Sequence, residues 1–484
     1  MNNEILLVML EALKSDPDKL IQIALRQAEL INQLQDTIGK LEARIAVLEN
    51  ALSEAHAQQS KLQINLNEVD RQAHRQAAPF RIPEKKHKSD PQKPGQKKGH
   101  PGIYRAMPAH IDETIEVILD KCPKCGGPLS EPKCVEQVIE EVPKIPPKVI
   151  RLRTYKANCP QCGEVRSRHP LQVSEAIGAA GVHLGPRALA ITAMLNKALG
   201  TTVRKTCRIL QDLLGLKLTP GGLTQITHRL ADKFLPDYLR LSEGLRTAPV
   251  VHCDETSWWV GSPKFFLWVF TNFDTTVYRV ENGRGRNIIT DTLGADFPGV
   301  LVSDCLNIYD DATPLQQKCY SHHLKAISEA IEQDTRQGEG FLRDCQFLLH
   351  TAMLIKKGEP TISPLKYADA CSRLEQFADE LLSRPNLNPM QEKIRLRLLK
   401  QRDHLFTFLY HVGVDATNNL AERQLRPAVI ARKVSCGNRT LKGKRAWEIL
   451  VSIAATAAQR SQSFLDVVAK RAPLLSTQPI FDSP

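Results

Sequence analysis

From Leu20 to Val69 the chain repeats in alternating steps of four and three, through Leu20, Ala24, Gln27, Ile31, Leu34, Ile38, Leu41, Ile45, Leu48, Leu52, Ala55, Gln59, Leu62, Leu66 and Val69. Arg, Glu, Gln and Lys fill the intervening positions, leaving one narrow apolar stripe. Such a seam is buried by pairing with another helix, whereas a helix packed on its own core shows a wider stripe over a shorter length. Residues 1–78 are therefore expected to form a parallel coiled-coil dimer. Residues 186–247 show a broader helical rhythm, broken at Gly215 and at Thr219-Pro220-Gly221-Gly222. A helix near Val203–Leu214, a turn, and a helix carrying Thr224, His228 and Arg229 have two readings, a DNA-binding helix-turn-helix or a plain structural bundle.

The rhythm changes at Pro249. Val250-Val251-His252-Cys253-Asp254 reads as a buried strand ending on a carboxylate, followed by strands at Phe265–Asn272 and Thr276–Val280, a helix over Arg284–Leu293, and a second buried strand, Val300–Ser303, ending on Asp304. The order strand, strand, strand, helix, strand opens the ribonuclease-H-like fold, in which the first and fourth strands are neighbours. Asp254 and Asp304, fifty positions apart, are then expected side by side. Residues 326–411 return to a helical pattern, with Leu374, Phe377, Leu381, Leu396, Leu399 and Leu405 as core candidates, and read as an all-helical insertion. A short helical domain over 436–484 is expected to close the chain.

Composition adds the partner. Lys and Arg number 65 against 53 Asp and Glu, a formal net charge of +12, which favours a polyanion such as double-stranded DNA. Part of that charge lies in a proline-punctuated stretch, residues 79–120, where Lys97 and Lys98 stand among Arg81, Lys85, Lys86, Lys88, Lys93 and Arg105. It reads either as a solvated spacer or as a strand of charge that tracks phosphates. A second basic group follows Glu422: Arg423, Arg426, Arg432, Lys433, Arg439, Lys442, Lys444 and Arg445. The apolar residues of Met1–Leu13 have no basic lead-in, and no run approaches the roughly 18 apolar residues of a membrane span, so a soluble cytoplasmic protein is expected.

Four of the twelve cysteines form Cys122-Pro-Lys-Cys125-Gly and Cys159-Pro-Gln-Cys162-Gly. Each knuckle presents two sulfurs, and two knuckles on a hairpin make a zinc ribbon over 121–170. The strands of that hairpin are expected around Val135–Val142 and Val149–Ala157, and Cys134 lies in the long gap as a substitute ligand.

Two adjacent carboxylates repel unless a cation neutralises them, and Mg²⁺ or Mn²⁺ prefers oxygen ligands. Glu422, in Asn418-Asn419-Leu-Ala-Glu422-Arg423-Gln-Leu-Arg426-Pro427, is the third acid. Asn419 reads as the N-cap of its helix, so Glu422 is also open to a capping box or an ion pair with Arg426. Three carboxylates suit two metal ions roughly 3.5–4 Å apart that activate a nucleophile and stabilise the leaving oxygen of a phosphodiester. Cys319-x-x-His322 reads as half a zinc site with no second half nearby in sequence, or as a buried Cys beside a satisfied His. Trp258 and Trp259 read either as core or as platforms for a base.

His252-Cys-Asp254-Glu-Thr-Ser-Trp258, Ser303-Asp304, Cys319-Tyr-Ser-His322-His-Leu, the Asn418–Pro427 stretch and Arg432-Lys433 occur in the order found in the insertion-sequence-66 family of bacterial transposases, which the chain resembles over almost its whole length. The resemblance implies a leucine-zipper head, a cysteine finger, a catalytic domain of the Asp-Asp-Glu class spanning 248–435, and a short C-terminal domain. It also implies metal binding by Asp254, Asp304 and Glu422, and an auxiliary role for His322 toward the scissile phosphate or a metal-bound water. DNA contacts by Arg423, Arg426, Arg432 and Lys433, a homodimer or higher oligomer, accessory transposition proteins and a nucleoid location in a bacterium complete the expectation. Cys305-Leu306 departs from the Gly-Tyr of many relatives. A structure-specific nuclease or resolvase of the same fold, and a non-enzymatic dimeric zinc regulator, are the rival readings.

Overall fold

The computed structural model describes residues 105–481, apart from 132, 176–181, 263, 334–338, 386 and 477–479, together with three isolated helical positions, Arg26, Gln35 and Gly39. The coiled coil, and Lys97 and Lys98 of the linker, lie outside the described residues. Residues Ala109–Pro484 group as one unit and Met1–Pro108 as another. Among the described residues no helix is long and apolar enough to cross a membrane.

The protein is of mixed α/β class. Its principal sheet has five strands, β3 (Val250–Trp258), β4 (Phe265–Thr271), β5 (Thr276–Asn282), β6 (Val300–Ser303) and β7 (Gln316–Lys318), in the spatial order β5-β4-β3-β6-β7. β3, β4 and β5 form an antiparallel meander, while β6 and β7 run parallel to β3. β1 (Lys156–Cys159) and β2 (Gly163–Arg166) form a separate small hairpin.

Side-chain alternation divides the sheet between two layers. On β4, Trp268 and Phe270 enter a core shared with helices α1 (Pro186–Ala193), α3 (Pro220–Arg246), α4 (Asn287–Leu293), α11 (Leu441–Gln459) and α12 (Phe464–Arg471), and Leu267 and Val269 enter a second core beneath α10 (Asn419–Ser435). The period of two along a strand makes this division automatic. A third core joins Val250, Val300 and Val302 to the helices α5 (Tyr320–Gln333), α6 (Glu339–Gly358), α7 (Pro364–Leu382), α8 (Pro389–Lys400) and α9 (Thr407–Tyr410). These helices lie in the chain between β7 and α10 and are rooted on the sheet.

The first core runs without a break from Leu189 on α1 through the sheet to Val468 on α12, so expected boundaries at 247 and 435 fall inside one packed body. α2 (Val203–Leu214) ends on left-handed Gly215 at φ 65°, and α3 begins at Pro220 behind the Thr219 cap, which reproduces the expected helix, turn and helix. However, α3 buries Leu223, Ile226, Leu230, Phe234, Leu241 and Leu245, which makes it chiefly a core helix, with Thr224 and Arg229 exposed.

β5 is an edge strand, and an unpaired edge invites aggregation. Its outward N–H groups at Thr276, Tyr278 and Val280 are answered by Thr456 Oγ1 at 3.1 Å, Ser452 Oγ at 2.9 Å and the Glu448 carboxylate. Two residues of strand advance about 6.8 Å and four of helix about 6 Å, so acceptors spaced by four on α11 match donors spaced by two on β5. Ser452→Ala leaves the buried Tyr278 N–H unanswered and is expected to cost about 1–3 kcal/mol in chemical unfolding; a loss under a few tenths would remove that role.

The expected strands at Val135–Val142 and most of Val149–Ala157 do not form; only Lys156–Cys159 pairs. Val135, Ile139, Val142 and Val149 remain more than three-quarters exposed, with no layer to cover them.

Candidate active site

Register sets the geometry. Val250, Val251 and His252 pair with Val300, Leu301 and Val302 in parallel strands, and continuing that pairing by two residues sets Asp254 against Asp304. Asp304 follows the last residue of β6, and its Oδ1 accepts the Leu306 N–H at 3.0 Å, which fixes the turn that leaves the strand. Even-numbered residues of β3 face α10, where Trp258 meets Ala421 and Leu425, while Val251, Cys253 and Glu255 face the opposite core. Asp254 therefore emerges on the face that α10 covers.

α10 lies across β3 and β4 and brings Glu422 to the same place. Burial, then the neighbouring Glu255, and then Asp304 and Glu422 push the Asp254 carboxyl up to about 7, against a single stabilising bond from the Glu255 N–H. The three expected acids thus lie within reach of one another's charge, although their carboxylate oxygens do not gather within 4.8 Å of one another. Their mutual repulsion fits a hard divalent cation, which replaces repulsion with attraction.

The structure departs from the expected start of α10. Its N-cap is Asn418, not Asn419, with no side-chain cap bond, and the ion pairs found among the described residues do not include one between Glu422 and Arg426. Neither structural alternative for Glu422 is realised, and its carboxylate is directed to Cys319 and His322. The Asn418 carboxamide is used elsewhere: Nδ2 donates to the Cys253 carbonyl at 2.8 Å, and Oδ1 lies 3.2 Å from His252 Nδ1. The Asn418 N–H donates to Cys319 Sγ at 3.2 Å. One fully buried residue thereby ties the helix bearing Glu422 to the strand bearing Asp254 and to the start of α5.

His322 stands on the first turn of α5. Contact with Cys319 raises its pKa despite partial burial, helped by the charges of Asp304 and Glu422. Burial opposes ionisation of Cys319, but the His322 contact and the Asn418 N–H outweigh it and bring the thiol below its ordinary range.

Three further residues escaped sequence reading. Glu255, buried on the opposite face of β3, accepts from Arg284 Nε at 2.8 Å and from the Tyr309 hydroxyl, and so anchors the strand behind Asp254. Lys318 on β7 is fully buried, 3.3 Å from Ser303 Oγ and 3.8 Å from Asp310. Asn418 is the third. Buried polar groups require partners that only the fold supplies, so a residue type alone does not mark them.

Of the basic residues after Glu422, Arg423, Arg426, Lys433, Arg439, Lys442 and Arg445 are exposed. Arg432 is instead fastened to β3 through Thr256 Oγ1 at 3.1 Å and Ser257 Oγ at 2.9 Å, and Lys444 pairs with Glu448 at 3.3 Å. Trp258 is core, 4.6 Å from Trp447 between ring centroids, with its Nε1 donating to Asn438, whereas Trp259 is 43% exposed.

The knuckles form individually. Gly126 and Gly163 both adopt φ 73°, the left-handed turn that lets amides approach the first sulfur. Backbone N–H groups of Lys124 and Cys125 lower the Cys122 pKa, and those of Gln161 and Cys162 lower that of Cys159. Among the described residues no group of three metal-ligating atoms includes these four cysteines or Cys134.

A five-stranded mixed sheet with one acid in the middle of β3, one just past the end of its parallel neighbour β6 and a third on a covering helix defines a mixed α/β protein with a carboxylate cluster. Residues 181–446, more than half of the chain, match the family described as Transposase IS66 family. The chain belongs to that family, and with it to DNA-processing enzymes that bind DNA and generally use divalent metal ions. It is also 24% identical over 415 residues to a protein of Sinorhizobium fredii (strain NBRC 101917 / NGR234) described as "Uncharacterized protein y4qI", covering 76% of this chain and 73% of that relative.

Proposed function

We propose that this chain is the transposase of an insertion sequence, which binds the element's ends, cleaves to free 3′-hydroxyls and joins them to target DNA at a site of Asp254, Asp304 and Glu422. The observation that carries the reading is the parallel β3–β6 register, which sets two acids side by side beneath the helix that bears the third. The strand order supports a ribonuclease-H-like catalytic domain.

Asp254, Asp304 and Glu422 would hold Mg²⁺ or Mn²⁺, which when bound supply Lewis-acid stabilisation of a phosphodiester and a more acidic nucleophile. The chain's own residues do the rest. Asn418 and Glu255 fix the carriers of the acids, and His322 is placed to hold a proton or orient a phosphate oxygen at the site's edge. Exposed Arg423, Arg426 and Lys433, on the same helix as Glu422, supply phosphate contacts that hold the duplex. Lys97 and Lys98 add salt-dependent affinity, the 20–69 seam supplies the dimer, and the two knuckles take structural zinc.

Supplying pre-cleaved element ends with free 3′-hydroxyls, a target plasmid and Mg²⁺ is expected to give joined product. Cleavage of uncut ends without any joining of pre-cut ones would replace the transposase with a hydrolytic nuclease, and Mg²⁺-independent binding alone would replace it with a regulator.

A further inference from the structure

Read along the chain, Cys319-x-x-His322 is half of a metal site. The fold supplies the missing ligand from about a hundred positions downstream. Cys319 Sγ, a ring nitrogen of His322 and a carboxylate oxygen of Glu422 all lie within 4.8 Å of one another, and no other cluster of this kind occurs among the described residues. Cys319 immediately precedes α5 and His322 stands one turn in, so both side chains leave the same side of the helix. Glu422 comes from the first turn of α10.

We infer that Cys319, His322 and Glu422 form a second metal site that takes a thiophilic divalent cation, with zinc as the natural ligand. The donor set decides the class: one sulfur, one imidazole nitrogen and one carboxylate oxygen suit zinc, whereas magnesium takes oxygens alone. Three protein ligands leave the fourth tetrahedral position open, as in zinc sites that exchange water or substrate oxygen.

Two surroundings fit ligation. The Asn418 N–H donates to Cys319 Sγ at 3.2 Å, an outer bond of the kind that orients a ligand sulfur. His322 Nδ1 is buried without a hydrogen-bond partner, and a buried ring nitrogen left unanswered is costly unless something completes it. Glu422 belongs to both donor sets. A cation on the sulfur side therefore draws the third acid away from Asp254 and Asp304, so the site is a point where zinc opposes magnesium. That opposition rests on the function proposed above; the binding does not.

The test uses the full chain, stripped with chelator and titrated with Co²⁺, whose thiolate charge-transfer band reports sulfur ligation. The knuckle cysteines contribute the same band in every variant, so differences are what count. Wild type is expected to bind one equivalent more than Cys319→Ser, with additional thiolate charge-transfer absorbance for that equivalent. Glu422→Gln, which keeps every sulfur, is expected to lose that equivalent at low cobalt. Equal uptake and superimposable spectra for wild type and Cys319→Ser overturn the site; if Cys319→Ser does not fold, equal uptake by wild type, His322→Ala and Glu422→Gln overturns it instead. Absence of this equivalent alongside Asp254-dependent joining removes the site and leaves the transposase, and cobalt uptake without joining does the reverse.

Discussion

Asp254→Asn is expected to lower cleavage and strand transfer by on the order of a thousandfold or more while leaving end binding unchanged, because a carboxamide keeps the shape but not the charge that holds a cation. The same substitution should stabilise the metal-free protein. Burial and the charges of Glu255, Asp304 and Glu422 push Asp254 up to about 7, above its unfolded value of about 3.9. Folding therefore favours the neutral acid. Its contribution is fully present below the unfolded value and is lost as pH rises through 7.

At pH 8 without metal the wild type consequently carries a buried charge, repelled by its acidic neighbours, that the Asn variant lacks, worth on the order of 4 kcal/mol. Thermal unfolding in chelator should show the variant more stable than wild type at pH 8 and little different at pH 4. Added Mg²⁺ should raise the wild-type midpoint and leave that of the variant nearly unmoved. Full joining activity in Asp254→Asn would sink the carboxylate mechanism, and identical midpoints at pH 8 would sink the repulsion.

Asn418→Ala is expected to carry the second largest effect. It removes the 2.8 Å bond to the Cys253 carbonyl and the contact with His252, which together fasten α10 to β3. Loss of these buried bonds should cost about 1–3 kcal/mol of stability. Loosening Glu422 relative to Asp254 should cost about 10–100-fold in turnover, as for other residues that orient metal ligands. Asn418→Asp should be worse, because it cannot donate to the carbonyl and adds a fourth negative charge beside three acids. The discriminating measurement is the Mg²⁺ concentration for half-maximal rate. A rise with end binding intact marks Asn418 as a positioning residue, whereas lowered stability with unchanged metal dependence confines it to the scaffold.

What was legible in the sequence was what local pattern controls. The runs Val250–Asp254 and Val300–Asp304 announced buried strands because a fully covered strand has no polar face to interrupt it, but only the second ends on its acid; β3 continues through Asp254 to Trp258. α2 ends where Gly215 permits the left-handed conformation that terminates a helix. In the helical stretch the expected core positions Leu374, Leu381 and Leu405 are buried and Phe377 is partly buried, whereas Leu396 and Leu399, expected in the core, are 50% and 45% exposed.

Patterns misled where burial had no partner. The alternating apolar residues of Val135–Val142 and those after Val149 imitate strands, but without a covering layer nothing stabilises them. Asn419 imitated an N-cap because Asn is a good one, yet Asn418 takes the place and turns its side chain inward. The basic pattern around Arg432 gave no sign of its bonds to Thr256 and Ser257, which depend on the distance between α10 and β3.

The sequence by itself determined the two acid-bearing strands, their order, the cysteine turns and the basic residues that follow Glu422, because each is a local property of residue type and period. Only the tertiary structure decided that Glu422 joins Asp254 and Asp304, that Cys319 and His322 find their third partner there, and that Asn418 holds these elements together. Those relations link residues a hundred or more positions apart, and such distances close only when a whole core has been packed between them.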